Sequence, residues 1–116
     1  MAEPGLGFDP EDLKLVTLAR AARGRTGAHE GASVRDRDGR TYAAVTVTLP
    51  SLMLSALQLA VAMAVASGAA DLEAAAVVTP STEVDADGLA AVRDLASAAP
   101  ILLADPGGAV IATITA

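Results

Sequence analysis

Few side chains in this chain could do chemistry, and they stand far apart in the sequence. His29 is the only histidine and there is no cysteine. The lack of thiols removes disulfides, thiolate nucleophiles and Cys-ligated zinc together. Ser55 could act as a nucleophile only with a base beside it. Nothing in the sequence places His29, in a loop ahead of a strand, against it. His29 and Glu30 could share a metal ion, but adjacent side chains on a strand point to opposite faces. Asp85 and Asp87 read most simply as N-cap candidates for a following helix. Gly5-x-Gly7 falls in a tail and Gly107-Gly108 in a hairpin turn. Neither opens a helix, so no phosphate-cradling loop is expected.

Composition narrows the function classes further. The chain has 116 residues, enough for a single domain with one hydrophobic core. Alanine supplies 28 of them, and Phe8 and Tyr42 are the only aromatic residues. Stacking of bases on aromatic rings is therefore not available as a way to hold nucleic acid. The net charge of −6 argues against a nucleic-acid or anionic-membrane surface. Seven of the eight basic residues lie between Lys14 and Arg40. They read as solvated surface and as cations complementing the end of the first helix. The alternative is a basic patch of Arg20, Arg23, Arg25, Arg35, Arg37 and Arg40 for a phosphate-bearing ligand, an RNA backbone or a protein partner. The opening MAEPGLGFDPED is acidic, without the pattern of a signal peptide. A cytoplasmic protein is the expectation.

These groups must be positioned by secondary structure, and the elements can be read in turn. Residues 1–8 read as a flexible tail ahead of a single domain over residues 9–116. Asp9-Pro10-Glu11-Asp12 is a cap, a proline at the first helical position and a pair of first-turn acids. The helix that follows is stopped by Gly24 and Gly27. Asp38-Gly39 between β-prone runs predicts a hairpin, with Thr41 to Leu49 as its second strand. Pro50-Ser51 then precedes Leu52 to Ala66, which reads as a helix apolar on nearly every side. Its 15 residues fall short of the ~20 needed to span a bilayer. A strand over Leu72–Thr79, a helix over Asp87–Ala96, and two strands flanking Asp105–Gly108 complete the order α-β-β-α-β-α-β-β. The last turn is too short for a parallel crossover, so its strands should be antiparallel. The pattern implies a three-layer α/β/α fold with a mixed five-stranded sheet.

This order, with several local stretches, resembles the zinc-dependent cytidine deaminases. Gly31-Ala32 resembles the Val-Gly-Ala-Ala stretch of their first strand, and Asp38-Gly39-Arg40-Thr41-Tyr42 their hairpin. Ser55 to Gly68 is similar to their Cys-Ala-Glu-Arg helix without a gap, and Leu102 to Gly108 to their closing hairpin. The resemblance implies a zinc held by three ligands, with a Glu moving protons for the zinc-bound water. It places the first ligand at Ser55, the Glu at Leu57, and the Pro-Cys-x-x-Cys cysteines at Asp87 and Ala90. The ribose-gripping Asn-x-Glu pair falls at Thr46 and Thr48. A neutral hydroxyl, one carboxylate and a methyl group do not make a zinc site. Leu57 and Ala90 are expected to fill the vacated space as an apolar plug.

The expectation is thus a catalytically inactive relative with no metal and no cofactor. It would act as a binding or scaffold module through an oligomer surface, as a dimer or tetramer, with a protein partner in view. The first alternative is a nucleoside, nucleotide or anion in the remnant pocket, where two helix N-termini would converge. The second is a deaminase or hydrolase with an unrecognised site.

Overall fold

The computed structural model describes residues 7–116. Helix α1 (Pro10–Thr26) leads into strands β1 (Gly31–Asp36) and β2 (Thr41–Val45). A short hairpin follows, β3 (Val47–Leu49) and β4 (Leu52–Leu54). Then come α2 (Ala56–Ala66), β5 (Leu72–Val78), α3 (Ala86–Leu95), β6 (Pro100–Ala104) and β7 (Val110–Thr115). Apart from the inserted hairpin this is the expected order. Of the expected tail, residues 1–6 lie outside the described residues, and Phe8 packs against the core beside α1.

Five strands form one mixed sheet in the order β2-β1-β5-β6-β7. The β5–β6 pair is parallel and joined through α3, whereas β6 and β7 are antiparallel across their tight turn. Alternation along the central strands divides the core in two. Ala74, Ala76 and Val78 of β5, with Leu102 and Ala104 of β6, face Leu15, Val16 and Ala19 of α1. Ala75 and Val77, with Ile101 and Leu103, face Leu57, Ala60, Val61 and Ala64 of α2 and Val92 of α3. The result is the three-layer α/β/α sandwich.

Small residues let these layers approach closely. Gly31, the first residue of β1, lies beneath α1, where an added Cβ would overlap the Ala19 carbonyl oxygen. Ser33 on the same face donates its hydroxyl hydrogen to the Leu15 carbonyl at 2.6 Å. On the other face, a Cβ at Gly88 would stand 2.8 Å from the Leu57 Cβ. The start of α3 therefore rests directly on the first turn of α2.

Two expectations are corrected. The strand expected over Thr41–Leu49 breaks after Val45. The helix expected from Leu52 begins at Ala56. Between them, Pro50 and Ser51 form a turn that folds Leu52–Leu54 back onto Val47–Leu49. Ser55 is then the true N-cap: its Oγ accepts the Gln58 amide at 3.1 Å, and Gln58 Oε1 accepts the Ser55 amide at 3.0 Å. This reciprocal capping box fixes the helix start more strongly than the apolar run extends it. Nor is the helix buried all round. Ala56, Leu57, Ala60, Val61 and Ala64 are buried, but Val65 is 51% exposed.

Candidate functional site

The sheet and both helices on its inner face meet at one end in an open cleft of about 600 Å³. Its position follows from strand register. Gly31 pairs with Val45 on one side and Val78 on the other. Glu30, one residue earlier, therefore lies between Thr46 and Thr79. The Glu30 amide donates to Thr46 Oγ1 at 3.0 Å, and the Thr46 amide donates to the Glu30 carbonyl at 3.1 Å. The Thr79 hydroxyl donates to Glu30 Oε2 at 2.6 Å and accepts the Ser81 amide at 3.1 Å. Glu30 continues the alternation of Ala32 and Val34, which puts its side chain on the face of α2 and α3.

Around this floor the cleft is lined by Thr48, by Met53 and Leu54 of the small hairpin, and by Ser55 and Gln58 of α2. Residues Ser81 to Asp87, leading into α3, close the far side except for Thr82. Asp85 caps α3, its Oδ2 accepting the Gly88 amide at 2.7 Å. His29, which precedes β1 and lies outside its alternation, also lines the cleft. His29 and Ser55 thus share one cleft, although they stand 26 residues apart in the sequence. The Ser55 oxygen is engaged in capping its helix.

The positions singled out beforehand divide. Thr46, Thr48, Ser55 and Asp87 line the cleft. Leu57 does not: it is 1% exposed and packed against Gly88, within the core. Ala90 is exposed and plugs nothing, since it sits on the outer side of the short α3. Zinc does not fit this donor set, because Ser55 is a cap and Ala90 a solvent-facing methyl, which leaves the Asp87 carboxylate alone. Among the described residues no three His, Cys, Asp or Glu side chains are grouped to hold a metal ion.

The arginines do not gather at the cleft. Arg23 Nε donates to the His29 carbonyl at 2.9 Å, near the start of β1. At the far end of that strand, Arg35 bridges Asp12 at 2.7 Å and Glu73 at 3.4 Å. Arg37 pairs with Asp71 at 2.9 Å. Arg20 lies alongside Gly108 and Arg25 is exposed. Burial and its bonds to Asp12 and Glu73 oppose each other at Arg35, with the net effect of raising its pKa. Arg40 flanks Asp36, whose Oδ1 accepts the Asp38 and Arg40 amides and whose Oδ2 accepts the Tyr42 hydroxyl at 2.8 Å. Burial alone would raise the Asp36 carboxyl. Those hydrogen bonds and the Arg40 charge outweigh it and hold the pKa below its ordinary value.

Comparison with known proteins points one way. Residues 8–108 match the family model described as cytidine deaminase-like. Among solved structures, cytidine deaminase from Burkholderia pseudomallei superposes with a TM-score of 0.77 at 22% identity, covering 88% of this chain and 90% of that one. Cytidine deaminase from Mycobacterium leprae superposes with a TM-score of 0.68 at 22% identity, over the same shares. At this identity the superpositions show a common fold. No curated protein matches the chain.

Proposed function

We propose a function from a firm premise: this chain belongs to the cytidine deaminase-like family. Our reading is that it is a non-catalytic member that binds a small polar molecule in the cleft at the N-termini of α2 and α3. One observation carries the reading. The cleft is open and lined by hydroxyls, an amide and carboxylates beside Met53, Leu54 and Val84, while the three metal-ligand positions offer a single carboxylate, Asp87, and the proton-shuttle position a buried leucine. A volume of about 600 Å³ is within the range of small-molecule sites. Thr46 and Thr48 stand where the resemblance expects sugar contacts, so a nucleoside-sized ligand suits the space.

The test joins three measurements on the purified protein. Metal analysis should find no stoichiometric zinc, and cytidine should not be converted to uridine. A thermal-shift screen of nucleosides, amino sugars and nucleotides should show stabilisation by one ligand class. Clear turnover would overturn the non-catalytic reading, and a flat screen would overturn the binding one.

A second reading has its own support. Leu49, Leu52 and Met53 of the small hairpin and Met63 and Val65 of α2 are large apolar side chains left exposed. Their exposure favours self-association of the chain into a homo-oligomer serving as a scaffold, if they form one continuous apolar surface.

A further inference from the structure

We infer that the cleft selects a small organic cation, with an amine or amidine nitrogen donating to Glu30. The inference rests on the binding reading above and specifies its ligand. Glu30 is 9% exposed, and among the described residues no Lys, Arg or His lies within ion-pair distance of it. Most of the side chain is out of water while its carboxylate opens onto the cleft, where a cation pairs with it more strongly than with a fully solvated carboxylate. The protein supplies one side-chain donor, Thr79, to one oxygen. That hydroxyl has a single proton, and the Ser81 amide occupies its acceptor side. The Thr79 proton is thereby committed to Oε2, and Oε1 receives no donor from the described residues. The carboxylate lies on the wall of the cleft, so a ligand can reach it.

The rest of the lining agrees. Glu83, Asp85 and Asp87 also border the cleft, and no Lys or Arg does. An anion attracted by the two helix N-termini would meet Ser55 and the Asp85 carboxylate already capping them. Its charge would also face those of the neighbouring carboxylates. The site is thus poor for nucleotides and phosphates and good for a positively charged head carried on a hydroxylated body, which Thr48, Ser55 and Gln58 can contact.

Two charge series of matched size test this by calorimetric titration of the full chain. One is glucosamine, N-acetylglucosamine and glucose 6-phosphate. The other is 5′-amino-5′-deoxyuridine, uridine and uridine 5′-monophosphate. In at least one series the protonated amine should bind most tightly, the phosphate least, and added salt should weaken the amine. Glu30→Gln, checked for an unchanged circular dichroism spectrum, should weaken the amine roughly ten- to hundredfold, the worth of one charge-assisted hydrogen bond. Thr79→Val, which keeps the charge and frees its orientation, should weaken it less. If Glu30→Gln does not fold, the ranking and salt dependence of the unaltered chain decide. Neutral or anionic members binding as tightly as the amine in both series would overturn the inference and leave the binding reading standing. No binding by any member would overturn both.

Discussion

At the scale of single residues, two glycines give opposite expectations from the same substitution. Gly88 has Leu57 Cβ at 2.8 Å from where its own Cβ would be, whereas Gly24, in the last turns of α1, has open space there. Alanine favours a helix over glycine by about 1 kcal/mol. Gly24→Ala should therefore stabilise the fold by about 0.5–1 kcal/mol. Gly88→Ala should destabilise it, because overpacking of ~1–3 kcal/mol outweighs the same propensity gain. Urea midpoints of the two variants read both signs. Asp36 supplies a second residue-scale expectation. Its folded pKa is depressed, so its contribution to stability is present above the unfolded value of about 3.9. It is lost as pH falls through the lower folded value. Tyr42→Phe removes one of the bonds that depress it, and acid unfolding should then begin at a higher pH. Melting temperature followed against pH checks this, with Asp36→Asn as the variant whose acid limb flattens.

Among the elements, α2 depends on its capping box. Ser55→Ala removes the acceptor for the Gln58 amide and should cost about 1 kcal/mol, while Ser55→Asp should retain most of the stability. Thermal denaturation distinguishes the two, and a Ser55 whose role is to cap the helix gives that pattern. The same element shows what was legible in the sequence. Asp9 and Gly27 at the ends of α1, Asp85 before α3, the Asp-Gly hairpin and the tight β6–β7 turn are local signals and lie where the residues imply, whereas Gly24 falls inside α1 and does not end it. Leu52-Met53-Leu54 is not legible in this way, because an apolar run that short suits a strand and a helix equally. Only its pairing with Val47–Leu49 decides between them. The place of Glu30 is hidden from the sequence for a related reason. Its importance comes from the registers of β1 with β2 and β5, which bring Thr46 and Thr79 to it from 16 and 49 residues away. Ala90 is exposed, since ligand spacing alone does not tell which side of α3 faces the core.

For the molecule as a whole, the exposed apolar side chains of the small hairpin and α2 set the expectation for assembly. Met53 is 71% exposed and Leu49 54%. Light scattering after size exclusion should give a mass above that of the 11.5 kDa chain. Met53→Glu together with Val65→Glu should return it to one chain without loss of secondary structure. A single-chain mass for the unaltered protein would discard the scaffold reading. Among the described residues no helix is long and apolar enough to cross a membrane.

Gly31 carries one more consequence. It is pressed under the Ala19 carbonyl on the outer face of the sheet, and its immediate neighbour holds the carboxylate on the inner face. Close-packed interiors pass displacement onward rather than absorbing it. Any side chain larger than hydrogen at position 31 would therefore lift α1 from the sheet at the residue adjoining Glu30.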